Sequence, residues 1–307
     1  MSENKIIVTA GKVGADMDVV ACVIAYSELL KLEGKKSIPV IPGEFTASVT
    51  PNTLVWANNY QNNYESDGSE DFVIVDISDP DYCPDFVDKN KIIEVYDHRY
   101  GFQDYWKDII QDRAHIEIVA SCGTLIWEEF KKRGKSNNIS KNSAKLLLAS
   151  IISNSLNFKT PLTTDRDRNA YAELKEITGL NDDWVGGYFA EQEKMLEKDF
   201  KKYFIADTNI YKIGVEQFVI GQIELWDATN LLKEKKDEIH EVMEDYKSFP
   251  WIVNILNIEK GFNYIYSNSK EGRRLIEDKI GLTFKDNIAI TDKLLLRKHL
   301  TKILRGI

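Results

Sequence analysis

Short runs of β-branched and other apolar residues alternate with longer amphipathic stretches from the N-terminus to about residue 180. "KIIVTA", "SIPVI", "DFVIVDI" and "KIIEVYD" have strand length, and helical or loop segments separate them. That alternation predicts a parallel sheet covered by helices. In "KIIVTAGKVGADMDVVACVIAYSELL", Ile6, Ile7 and Val8 predict a buried strand, and Val19, Val20, Val23, Ile24, Leu29 and Leu30 give a broad apolar helical face. From Cys122 the pattern turns helical. "CGTLIWEEFKKRG" stops at Gly134, "NSAKLLLASIISNSLNF" is apolar enough for the core, and a further helix follows in "TPLTTDRDRNAYAELKEITG". The charged helix "FAEQEKMLEKDFKKYF" carries the chain toward a second domain, with the boundary placed near residue 190. Beyond it, "QFVIGQIEL", "PWIVNILNI" and "FNYIYSN" read as strands, and "ATNLLKEKKDEIHEVMEDYK" and "DKLLLRKHLTKIL" as charged helices. The expected architecture is an α/β, parallel-sheet domain over residues 1–190 and a smaller α+β domain over 191–307.

Composition narrows the function classes. The 307 residues are 43% hydrophobic, enough for two cores, and carry a net charge of −9. That charge argues against a duplex nucleic-acid surface, which uses a basic face, while leaving room for a small anion bound beside a metal. Cys22, Cys83 and Cys122 are too few and too scattered for a disulfide framework or a structural zinc site. "MSENKIIVTA" has no apolar signal core, and no run approaches the roughly 18 apolar residues of a membrane span. The expectation is a soluble, cytoplasmic protein with no membrane partner.

The candidate chemistry lies where strands end. Asp16 and Asp18 stand one residue apart where the first strand hands over to its helix. One carboxylate there serves as an N-cap, and the second needs another role. Residues two apart on a helix point to nearly opposite sides, so the pair converges on one object only from the turn or its first residues. Asp76 ends "DFVIVD", and Asp97 and His98 end "KIIEVYDH". Ligands of open α/β sheets gather beyond the carboxyl ends of the strands, so Asp16, Asp18, Asp76 and His98 are expected in one crevice. Hard oxygens with one imidazole suit Mn2+ or Mg2+. Taken singly, each residue is equally well read as a cap, a strand-end turn or a hydrogen-bonded loop histidine.

A D-x-D turn after the first strand, a strand ending V-D and another ending D-H-R together resemble the DHH phosphoesterase superfamily. "VASCGTLIWEEF" is similar to the glycine/serine/cysteine/threonine turn of family II inorganic pyrophosphatases and of the related exopolyphosphatase and prune proteins. "LLLASIISNSLNFKTPLTTDRDRNAYAEL" resembles their long helix and following loop, and "GQIELWD" and "DKLLLRKHL" resemble the domain that closes over substrate. The resemblance spans nearly the whole chain and implies a DHH metal-binding domain followed by a DHHA2-like substrate-closing domain.

It further implies metal ligation by Asp16, Asp18, Asp76 and His98, with Asp76 bridging two ions and Asp97 as the acidic member of the D-H-H motif. Lys12 stands where pyrophosphatases have a histidine, Asn154 where their helix supplies an aspartate, and Arg99 at the second motif histidine. D-H-R and G-A-D-M-D look closer to the exopolyphosphatase and prune branch. Lys12 is expected to pair with Asp16 in place of an ion or else to point to solvent, Asn154 to offer a neutral oxygen or else to hydrogen-bond within its helix, and Arg99 to contact phosphate. Arg297 and Lys298 match the phosphate-binding pair, and Asn209 replaces a substrate lysine. The implied catalytic set is Asp16, Asp97, His98 and Arg99, and the implied substrate contacts are Lys12, Arg99, Arg297 and Lys298. The activity implied is metal-dependent hydrolysis of pyrophosphate or short polyphosphate, with a homodimer allowed. The alternative is a degenerate relative that binds a phosphorylated ligand or partner without efficient turnover.

Overall fold

The computed structural model describes residues 4–12, 14–181 and 183–306. The chain divides into two compact units. One runs to Phe158 and resumes over Leu162–Val185; the other holds Lys159–Pro161 and Gly186–Ile307.

The first unit is built on a five-stranded sheet of order β2-β1-β3-β4-β5, in which every pairing is parallel. Its strands are β1 (Ile6–Thr9), β2 (Ser37–Pro39), β3 (Asp71–Val75), β4 (Ile92–Asp97) and β5 (Ala114–Ile116). All four residues of β1 are buried, as expected of a strand covered on both faces. The helices are α1 (Met17–Leu32), α2 (Pro51–Leu54), α3 (Gln103–Ile110), α4 (Cys122–Lys132), α5 (Lys141–Ser155) and α6 (Asp165–Thr178). Helix α1 buries residues all round its circumference, Asp18 among them, because it packs on the sheet and also against α4 and α5. One core cluster joins Phe72 and Ile74 of β3 to Trp106 and Ile110 of α3.

Helix α7 (Asp183–Lys198) leads into the second unit, followed by α8 (Phe200–Ala206), β6 (Thr208–Ile213), β7 (Glu216–Leu225), α9 (Leu231–Glu234), α10 (Lys236–Glu244), β8 (Trp251–Asn257), β9 (Phe262–Tyr266), α11 (Lys270–Ile280), β10 (Ile288–Ile290) and α12 (Arg297–Arg305). Its sheet has the order β10-β9-β8-β7-β6; β7 and β8 are parallel and the other pairs antiparallel. Phe218, Ile220, Ile252, Ile265 and Ile276 form its core with Leu300 and Leu304 of α12.

Three sequence-based elements differ. The expected single helix "FAEQEKMLEKDFKKYF" breaks between α7 and α8, because Asp199 accepts the Lys202 N–H at 3.2 Å and starts a new helix. "ATNLLKEKKDEIHEVMEDYK" is likewise split into α9 and α10. In "DKLLLRKHLTKIL" the helix begins only at Arg297. Leu295 is held outside it, its N–H donating to Asn263 Oδ1 at 3.1 Å and its carbonyl accepting from Asn254 at 2.8 Å and Asn263 at 2.6 Å. No helix among the described residues is long and apolar enough to cross a membrane.

Candidate metal centre

The two aspartates of the first turn have separate tasks. Asp16 is the N-cap of α1, its Oδ1 accepting the Val19 N–H at 3.0 Å. Asp18, one turn-position into the helix, is fully buried and points at the ends of the neighbouring strands.

Asp18 is held by a segment about one hundred positions downstream. Its Oδ1 accepts from the Ser121 hydroxyl at 2.9 Å, the Ser150 hydroxyl at 2.6 Å and the Gly123 N–H at 3.0 Å, with the Cys22 thiol at 3.4 Å. Its Oδ2 accepts the Cys122 N–H at 2.9 Å. The carboxylate therefore sits on the N-terminus of α4, where unsatisfied N–H groups and the helix dipole favour an anion. Oδ1 is saturated by these donors, whereas Oδ2 keeps lone-pair capacity. Burial and then the neighbouring Asp76 push the Asp18 carboxyl up to about 6, against the pull of His98 and Ser150.

The same segment fixes two more groups. The Val119 carbonyl oxygen lies 3.1 Å from His98 Nδ1. A carbonyl only accepts, so Nδ1 carries a proton, which leaves Nε2 as the nitrogen that can offer a lone pair to an ion. The Ala120 N–H donates to both oxygens of buried Asp167 at 3.1 Å, and the Thr124 hydroxyl donates to that carboxylate at 2.7 Å. Asp167 also closes the capping box of α6. "VASCG" is thus a hub between His98, Asp167 and Asp18. The motif is visible in the sequence, but its partners are not, because they lie on other elements.

Asp76 directly follows β3 with φ of +56°, a left-handed conformation uncommon for residues other than glycine, though tolerated by aspartate. Its N–H stays in the sheet, donating to the Tyr96 carbonyl at 2.8 Å. Its carbonyl and carboxylate both face Arg99. One guanidinium nitrogen donates to the carbonyl at 2.7 Å, and the other lies 3.2 Å from Oδ1 and 3.1 Å from Oδ2. Burial opposes the Arg99 charge, but Asp76, Asp97, Asp16 and Asp18 together raise its pKa further. Asp97 is buried; it accepts the Ser78 hydroxyl at 2.6 Å and the His98 N–H at 2.8 Å. It braces the strand end that carries His98.

Asp18, Asp76 and His98 form one group of buried ligand atoms, all within 4.8 Å of one another. His98 Nε2 lies 3.4 Å from Asp76 Oδ1 and 3.7 Å from Asp18 Oδ2. Adjacent ligands of an octahedral ion held at about 2.1 Å are about 3 Å apart, so a small inward adjustment suffices. A lone pair facing two carboxylate oxygens is a donor set that fits a hard divalent cation.

The remaining sequence candidates are placed differently. Asp16 is not in that group; it caps α1 and acts on Asp18 and Arg99 through space. Lys12 was expected to pair with Asp16, but its ammonium is exposed and pairs with Asp85 at 4.0 Å; the cation on the centre's carboxylates is Arg99. Asn154 is half-buried on α5, one turn beyond Ser150 and on the same face. In the second unit Arg297 is engaged by Asp207, with a guanidinium nitrogen 2.5 Å from Oδ1 and a further hydrogen bond to the Asp207 carbonyl. Lys298 follows it in the first turn of α12, and Asn209 lies on β6, largely exposed. The start of α12 is set by Gln222, Asn254 and Asn263, an amide ladder across β7, β8 and β9 that binds Leu295 and the Arg297 N–H.

No family model matches the chain. Over 306 residues it is 26% identical to the manganese-dependent inorganic pyrophosphatase of Methanothrix thermoacetophila, covering 97% of this chain and 96% of that protein. Its fold superposes on a Methanococcus jannaschii protein assigned to the family II inorganic pyrophosphatases with a TM-score of 0.75, at 20% identity and 98% coverage of both chains. An exopolyphosphatase-related protein of Bacteroides fragilis gives a TM-score of 0.54 at 14% identity, covering 99% of this chain and 92% of the other.

Proposed function

We propose that this divergent relative of the manganese-dependent inorganic pyrophosphatases is a metal-dependent hydrolase of a phosphoanhydride, either pyrophosphate or short polyphosphate. The observation that carries the reading is the convergence of Asp18 Oδ2, Asp76 Oδ1 and His98 Nε2 on one point. Mn2+ or Mg2+, if held by these donors, would supply a Lewis acid and lower the pKa of a bound water. The protein's own groups do the rest. Val119 fixes the His98 tautomer, the α4 N-terminus and Ser150 orient Asp18, and Asp97 steadies the His98 backbone. Arg99 turns its guanidinium to Asp76 while its side chain as a whole stays partly exposed, a cation suited to phosphoryl oxygens. Arg297 and Lys298, at the start of α12, are the proposed phosphate cations of the second unit.

A binding role without efficient turnover is the second reading. It is favoured by Lys12, Asn154 and Arg99 standing where the resemblance implies ligands. Phosphate release from pyrophosphate and tripolyphosphate, with Mn2+ and with chelator, separates the two. The expected result is slow, metal-dependent release that strengthens when Lys12→His is combined with Asn154→Asp. If neither parent nor double variant exceeds the metal-free control on either substrate, the hydrolase reading is lost.

A further inference from the structure

We infer that Arg99 takes the place of a second metal ion, so that the centre holds a single divalent cation with the guanidinium as its other positive charge. The inference rests on reading Asp18, Asp76 and His98 as a metal centre, and deepens that reading by assigning its stoichiometry.

The argument starts at Asp76. A carboxylate that bridges two ions gives one oxygen to each. Oδ1 faces His98 Nε2 at 3.4 Å, which is the side of the three-donor group. Oδ2 has its close contact with the Arg99 guanidinium at 3.1 Å, and the same nitrogen is 3.2 Å from Oδ1. A nitrogen nearly equidistant from both oxygens lies in front of the carboxylate and draws on a lone pair of each. A pair of ions bridged by the two oxygens would therefore have to displace a cation that belongs to the chain. The guanidinium does not sit there by one contact alone, since its other nitrogen donates to the Asp76 carbonyl at 2.7 Å.

The other acidic groups nearby are already partly engaged. Asp16 Oδ1 caps α1, and both oxygens of Asp97 accept hydrogen bonds, from Ser78 and from the His98 backbone. Among the described residues, the histidine and acidic side chains form only one group of three converging ligand atoms. Charge points the same way. Asp16, Asp18, Asp76 and Asp97 all act on Arg99, and an always-protonated guanidinium with one divalent ion answers most of that negative charge. A second ion on Oδ2 would have to sit against a like charge.

The test is a Mn2+ titration of the full chain by calorimetry, with the spin-resonance spectrum of the bound ion. The expected result is one Mn2+ per chain with the resolved hyperfine pattern of an isolated ion. Arg99→His should take up a second equivalent and show the broadened spectrum of a coupled pair, whereas Arg99→Lys should stay at one. Two equivalents in the parent, or a folded Arg99→His that still binds one, would overturn the inference. The parent measurement decides even if a variant fails to fold. Phosphate release is read separately. One bound ion with no turnover in either the parent or the Lys12→His, Asn154→Asp variant ends the hydrolase reading and keeps this one, and two ions with turnover does the reverse.

Discussion

The Ser150 hydroxyl donates to Asp18 Oδ1 at 2.6 Å, and the Ser121 hydroxyl lies 2.7 Å from Ser150 Oγ. Helix α5 thus reaches the first turn of α1 through Ser150, beside Ser121, the N-cap of α4. A hydrogen bond to a charged group contributes about 1.5–3 kcal/mol, and groups that orient a metal-binding carboxylate typically alter affinity 10- to 100-fold. Ser150→Ala is expected to weaken Mn2+ binding about tenfold. An unchanged dissociation constant in a Mn2+ titration would show that Ser150 does not position Asp18.

Gly123 is needed for space. A β-carbon there would stand 2.3 Å from Ser150 Oγ, 3.1 Å from Ser121 Oγ and 3.3 Å from Ser150 Cβ. Gly123→Ala is expected to cost about 1–3 kcal/mol of stability by overpacking. Adding Ser150→Ala removes the closest obstacle and should recover part of that loss, so the two changes should be less than additive. Denaturant midpoints of the parent, both single variants and the double variant measure the coupling, and strict additivity would contradict the geometry.

Acid should loosen the first unit at Glu70. This buried carboxylate accepts from the Tyr64 hydroxyl, from Ser66 Oγ at 2.7 Å and from the Asp67 N–H at 3.2 Å, and it pairs with Lys5 at 3.1 Å. Burial pushes its pKa up, but the hydrogen bonds more than offset this, leaving it well below the usual carboxylate range. A depressed folded pKa stabilises fully above the unfolded value of about 4.3 and is lost as pH falls toward the folded one. Glu70→Gln should therefore be less stable than the parent at pH 7, and the gap should narrow steadily below pH 4. A gap constant from pH 7 to 3 would rule the carboxylate out.

Arg297 and Lys298 are neighbours in sequence with different expected effects. Arg297 is mostly buried against Asp207, so Arg297→Ala should destabilise the second unit by about 2 kcal/mol. Lys298→Ala should cost less stability than that and raise KM for pyrophosphate. Equal losses of stability in both variants, followed by thermal unfolding, would undo this division.

The first four sheet strands of the first unit are readable because they are short, largely apolar and rich in β-branched residues; "KIIVTA", "SIPVI", "DFVIVDI" and "KIIEVYD" contain β1 to β4. Strand β5 is not, since Ala114–Ile116 is three residues long with a histidine at its centre. Asp18, Asp76 and His98 could be proposed together because parallel strands deliver their carboxyl ends to one edge. What holds them could not. Asp18 with Gly123, Asp167 with Ala120 and Asp97 with Ser78 are pairings across tertiary distance, and no local period encodes them. The direction of a long cation is equally nonlocal. Lys12 and Arg99 are both cations close in sequence to aspartates, and only the fold sends one to Asp85 and the other to Asp76.

The left-handed backbone of Asp76 also determines how the centre tolerates change. Its N–H belongs to the sheet, and its carbonyl and carboxylate belong to the centre, so the carboxylate is indexed to a buried strand instead of to a loop. Loop motion on the scale of an ångström does not blur it. Conformation and charge are, however, separate demands on one residue. Asparagine satisfies the first and fails the second, whereas glutamate keeps the charge and strains the backbone. Position 76 is therefore where a single, structurally quiet replacement would erase the chemistry and leave the sheet intact.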